Sequence, residues 1–190
     1  MPMSDRMRGV GAEANPARLK HPALAFLFDY WRHKRGDRPM PARGDIRPSE
    51  IRKHLGWVVM ADVLAGGQEF RYRLVGTLVT QYFLTEATGK TLTEAFQNWD
   101  RGVLNAVRAV MCNVARDRIA IRAFGEANAI AAGFEAFEVL FLPLSDDGDS
   151  VNVILHAFTF DRPEVMLARQ IAKSHGGRLL PRPPPDGAGQ

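Results

Sequence analysis

The sequence has one cysteine, Cys112, so no disulfide can form within the chain. A chain without a disulfide suits a reducing compartment. It has no uncharged apolar run near the ~20 residues that a membrane-spanning helix needs. It also lacks the apolar core of a signal peptide, because Gly, Arg and Asp interrupt residues 1–18 throughout. Together these absences predict a cytoplasmic protein. No internal repeat is present, and no motif pairs a nucleophile with its base: there is no Gly-x-Ser-x-Gly, no His-Glu-x-x-His and no cysteine–histidine pair. A small enzyme is therefore the weakest of the functional readings, and a non-enzymatic protein is expected. Gly89-Lys90-Thr91 resembles the end of a phosphate-binding loop, but Leu84 stands where that loop requires its first glycine. Asp146, Asp147 and Asp149 do not follow the spacing of a twelve-residue calcium loop, so they read as a hairpin turn and no metal site is expected.

What is present is ordinary in amount and uneven in placement. With 190 residues, 46% apolar and 24% charged, the chain suits one domain with a full core. Residues 1–54 carry twelve Lys/Arg against six Asp/Glu, and residues 55–190 carry thirteen against fifteen. The net positive charge thus belongs to the N-terminal third. No stacking platform is interleaved with it, so a solvated basic face is expected rather than a nucleic-acid surface.

Periodicity divides the chain. Residues 1–18 are polar and aperiodic and read as a disordered basic lead. Leu24, Leu27, Phe28 and Trp31 recur at helical spacing from Pro22, and Gly36 stands where a helix cap is common. Prolines at 39, 41 and 48 predict an extended crossing and a short helix from Pro48 to near Leu55. In that crossing Asp45 is expected to accept from nearby backbone N–H groups and Arg43 to pair locally. Residues 57–64 and 69–76 are strand-like and are joined by Ala65-Gly66-Gly67-Gln68, which predicts a β-hairpin. In the second strand, alternation puts Phe70, Tyr72 and Leu74 on one face and Arg71, Arg73 and Val75 on the other. Short helices are expected at 78–84 and through Phe96, and a longer one over 99–116. Three strands follow, at 119–124, 134–144 and 151–160. Residues 57–64 and 151–160 are apolar on both parities and should lie inside the sheet. Residues 173–190, rich in Pro and Gly, read as a flexible tail.

This order predicts an α+β domain over residues 19–172, with a five-stranded antiparallel sheet, inserted helices and an N-terminal amphipathic helix packed on the sheet. The sequence resembles a PAS domain, and in particular a bacterial single-domain PAS-like family largely of unknown function. The residues that carry the likeness are Tyr30-Trp31, Pro41 through Pro48, Phe70 through Thr77, Thr88-Gly89-Lys90, and Leu142-Pro143-Leu144-Ser145-Asp146-Asp147-Gly148. Leu84 departs from the pattern, since family members often carry glycine there. The resemblance implies a sensory or regulatory module with a small pocket between the concave sheet face and the helices. It names no cofactor. Cys112 falls on the long helix, outside the short helical motif in which light-sensing PAS domains hold a flavin-reactive cysteine, and His156 falls in a strand, away from the usual haem-ligand helix.

The candidate pocket residues are Tyr72, Phe83 and His156, for each of which packing is the competing reading. Glu138 alternates with Leu140 and Leu142 on an apolar face and must pair or reach water; Arg122 on the preceding strand is its expected partner. With no output domain expected in the chain, the partner is a signalling protein, a small molecule, or both. Homodimerisation through the N-terminal helix is one further arrangement. The alternative function is a pure interaction module whose pocket its own side chains fill.

Overall fold

The computed structural model describes residues 11–83, 86–126 and 136–161. The expected lead at 1–10 and the tail beyond 161 lie outside these residues. Six strands form one antiparallel sheet in the order β1-β4-β5-β6-β2-β3. They are β1 (Gly11–Ala14), β2 (Val58–Leu64), β3 (Glu69–Val75), β4 (Ile121–Glu126), β5 (Ala136–Leu144) and β6 (Val153–Asp161). Helices α1 (Pro22–Arg35), α2 (Thr77–Phe83), α3 (Leu92–Ala95) and α4 (Arg101–Asp117) complete the fold. None of the described helices is long and apolar enough to cross a membrane.

Three expectations are corrected, the third in the hairpin. The sheet has six strands rather than five, because residues 11–14 of the supposed disordered lead pair with β4 along Gly11↔Phe124 to Ala14↔Ile121. Four short residues carry too little pattern to read as a strand; an open sheet edge recruited them. The short helix expected after Pro48 is instead a series of turns ending in a 3-10 turn at Leu55–Trp57. Local hydrogen bonds hold it: the Tyr30 hydroxyl donates to Glu50 at 2.7 Å and accepts from the Arg47 N–H at 2.9 Å. Asp45 accepts from the Ala42 N–H (2.8 Å), as expected, and it also forms an ion pair with Arg38 at 2.8 Å.

The hairpin forms as its turn residues require. Gly66 and Gly67 take φ of 64° and 92°, a region where a side chain is strained. Across it, Met60 faces Leu74 but Ala61 faces Tyr72, so Arg73 is an extra residue in the strand. This β-bulge reverses the expected parity beyond it. Tyr72 turns to the concave face and so does Val75, while Leu74 is left 37% exposed on the other side. Gly76 follows, and a Cβ there would lie 2.3 Å from the Gly56 carbonyl oxygen; only glycine allows that approach.

Helix α1 covers the convex face, across β5 and β6. Leu24, Leu27 and Trp31 are buried and Phe28, ring-stacked on Trp31 at 6.1 Å, is half-buried. The Trp31 indole N–H donates to the Pro143 carbonyl at 2.9 Å, beyond the last β4–β5 pair at Ile121↔Phe141. The helix is also anchored at its start. Glu138 on β5 accepts from the backbone N–H groups of Lys20 (3.0 Å) and His21 (2.9 Å), and from Nε of Arg122 on β4. Arg122 reaches on to Glu13 of β1 at 3.2 Å. The expected Arg122–Glu138 pair is thus formed, with both side chains under 10% exposed.

Two substitutions test this arrangement. Trp31→Ala should lower stability in urea unfolding by about 3–5 kcal/mol, since it removes a buried ring and its hydrogen bond. Glu138→Gln should cost roughly 3 kcal/mol, because it leaves Arg122 buried with only the half-exposed Glu13 as counter-charge.

Candidate functional site

The opposite, concave face of the sheet bounds a cavity of about 350 Å³. Cross-strand register explains its floor. Val59, His156 and Phe141 are successive partners across β2, β6 and β5, and directly opposed residues share a face. Val139 and Phe158 form the next such pair, and Ala123 of β4 continues that row. From β3, the bulge delivers both Tyr72 and Val75.

Helices make the roof. Asp100 caps α4 by accepting from the N–H groups of Gly102 (2.8 Å) and Val103 (3.3 Å). Val103, Val107 and Val110 then face the cavity at helical spacing. Val79 comes from α2, and Phe96 and Trp99 from the segment between α3 and α4. Thr91 caps α3 in a reciprocal capping box with Glu94, and Gly89 takes φ 83°, which confirms Gly89-Lys90-Thr91 as a turn leading into a helix. Arg108 fastens α4 to the sheet edge by donating to the Gln68 carbonyl (2.7 Å), Thr93 Oγ1 (2.5 Å) and Glu69 (3.5 Å).

Among the described residues the cavity wall carries no charged side chain. Its polar side-chain groups are those of Tyr72, Trp99 and His156. His156 is 1% exposed, and neither ring nitrogen has a hydrogen-bond partner among the described residues. Aromatic rings surround it: Phe141 at 5.1 Å, Phe158 at 5.5 Å and Tyr72 at 6.0 Å between centroids. Burial in this setting pushes the imidazole pKa down to about 3, so the ring is neutral at physiological pH. Burial likewise raises the Tyr72 phenol, the Glu69 carboxylate adding to the effect.

Of the three sequence candidates, the structure brings Tyr72 and His156 together on the cavity wall. The side chain of Phe83 lies outside the described residues. Sequence reading missed Val75, Phe141 and Phe158 as wall residues. The α4 valines were legible as one face of a helix, but nothing local shows that this face stands off from the sheet. The aspartate turn is held by its own groups: Asp147 accepts from the Asp149 and Ser150 N–H groups and from the Ser145 hydroxyl, which lowers its pKa to about 2. No metal-binding group of side chains occurs among the described residues.

A family model for the PAS domain matches residues 19–159, and the chain belongs to that family. No curated protein matches it. One solved structure, described as "Structure of an RNA-binding Light-Oxygen-Voltage Receptor", aligns at 14% identity with a TM-score of 0.42, covering 88% of this chain and 44% of that one. The chain therefore spans less than half of that receptor, and a likeness this weak adds nothing to the family match.

His156 makes a measurable demand on stability. Replacing it with Phe should raise stability at pH 7 by about 1 kcal/mol or more, because two unpaired buried nitrogens disappear. The pH dependence follows from the depressed pKa. The unfolded chain binds a proton near pH 6.5 and the folded one only near 3, so wild-type stability is full above pH 6.5 and falls as pH drops. By pH 4.5 the loss from this residue should reach roughly 3 kcal/mol. Urea midpoints of wild type and His156→Phe should therefore diverge progressively below pH 6.5.

Proposed function

We propose that this domain is a sensory or regulatory module that binds a small molecule in the concave cavity and transmits its occupancy to a partner protein through α1. One observation carries the reading: a cavity of about 350 Å³, within the size of ligand pockets, is walled by apolar side chains with a few converging polar groups. Family membership supports the same reading. The wall residues suit binding better than chemistry, since the described ones offer no carboxylate and no nucleophile beside a base. The sheet supplies the route. On β6, His156 faces the cavity while its neighbours Leu155 and Ala157 face the α1 side, paired with Leu142 and Leu140. A ligand that shifts β5 and β6 would change the surface on which α1 packs, and a ligand moves an equilibrium only by binding one arrangement better.

The rival reading, an interaction module with a self-filled pocket, differs in what a larger side chain does. Val107→Phe should fill the cavity with little loss of melting temperature, and native mass spectrometry should show a retained small molecule on wild type from its own host that the variant lacks. A chain that carries no adduct and loses 1–3 kcal/mol from Val107→Phe has a filled interior, and the ligand reading fails.

A further inference from the structure

We infer that the cavity selects an uncharged, largely apolar molecule of about two fused rings, and that it orients that molecule through a single hydrogen bond to the His156 imidazole. This rests on the small-molecule reading above and adds the ligand's chemical class and its anchor.

The size comes from the volume. A dry apolar cavity of about 150 Å³ takes one benzene ring, so 350 Å³ leaves room for a bicyclic ligand. The absence of charge comes from the wall. An ion brought here would shed its water without meeting a counter-charge, at a cost of many-fold in affinity. Glu69 and Arg108, the charges nearest in effect to Tyr72, are committed to each other and to Thr93.

The anchor comes from His156. A neutral imidazole offers one donor and one acceptor, and here both nitrogens are fully buried and unpartnered among the described residues. A stable protein gains nothing from such a group in an apolar interior, since a phenyl ring would pack in its place without the penalty. A trapped water would be satisfied at the low end only: buried waters typically make about three hydrogen bonds, and of the three rings beside His156 only Tyr72 carries a polar group. A ligand heteroatom needs one. Whichever of the two nitrogens the ligand meets is therefore the place where a ligand with an O–H, N–H or carbonyl group is told from a hydrocarbon, because leaving both unmet costs the hydrocarbon affinity.

Three probes of one shape test this: naphthalene, 2-naphthol and 2-naphthoate. Each is titrated into the full chain and into His156→Phe at pH 7.5, with intrinsic fluorescence and isothermal calorimetry as readouts. Wild type should favour 2-naphthol over naphthalene, and the ratio of their affinities should fall about tenfold in His156→Phe. Comparing ratios cancels the different hydration of the two probes. The naphthoate should bind at least tenfold more weakly than the naphthol. If the ratio is the same in both proteins, His156 is no anchor, although binding of the probes would keep the pocket reading intact. If the naphthoate binds best, the uncharged class is wrong. If none of the three binds either protein, the pocket reading itself falls, and this inference with it. Thermal unfolding of His156→Phe guards the comparison: a folded variant that still binds naphthalene shows that any lost preference reflects the nitrogen and not a collapsed site.

Discussion

One carboxylate, that of Glu138, joins the parts of this molecule that the chain brings from far apart. It sits on β5 and accepts from two backbone N–H groups just before α1, so it fixes where the helix begins. It pairs with Arg122 on β4, which in turn holds Glu13 on β1. A buried carboxylate is tolerable only when its acceptor sites are met by charge and by N–H groups together. Here three donors do so, and the demand for them dictates the packing of one helix and two strands. With α1 set by Glu138 at one end and by the Trp31–Pro143 bond at the other, the convex face of the sheet is covered over β5 and β6.

The concave face is arranged differently. Helix α4 is held at its N-terminus by the Asp100 cap and along its length by Arg108, and its valines stand over the floor instead of interdigitating with it. Protein interiors are otherwise close-packed, so a space of 350 Å³ is a departure that the fold sustains by bracing both sides of it.

His156 belongs to the same trade. Its backbone sits in an interior strand of the sheet, between β5 and β2, and its ring nitrogens have no partner among the described residues. A polar group held where packing would favour hydrocarbon costs stability, which is the observation behind the proposed ligand anchor. The PAS fold supplies the frame, a sheet with the cavity on one face and α1 packed on the other. The two faces share β5 and β6 residue by residue, so pocket and helix are mechanically adjacent.

The sequence by itself determined most of the elements and their order. The hairpin of β2 and β3, α1 from Pro22 with its Gly36 cap, the long α4, and the interior positions of β2 and β6 all follow from periodicity and turn chemistry. So did the Arg122–Glu138 pair, because a lone acid on an apolar face has to be answered. Tyr72 and His156 were legible as inward-facing residues on their strands. What only the tertiary structure decided depends on relations between distant segments. The Arg73 bulge put Val75 in the cavity and Leu74 on the surface, and a two-residue pattern cannot announce an inserted residue. The sixth strand exists because β4 offered an edge. Arg38 pairs with Asp45 because the turn after α1 folds back. Above all, that the rings near His156 leave its nitrogens open, rather than one of them supplying a partner, is set by how four strands meet beneath α4, and no stretch of sequence carries that information.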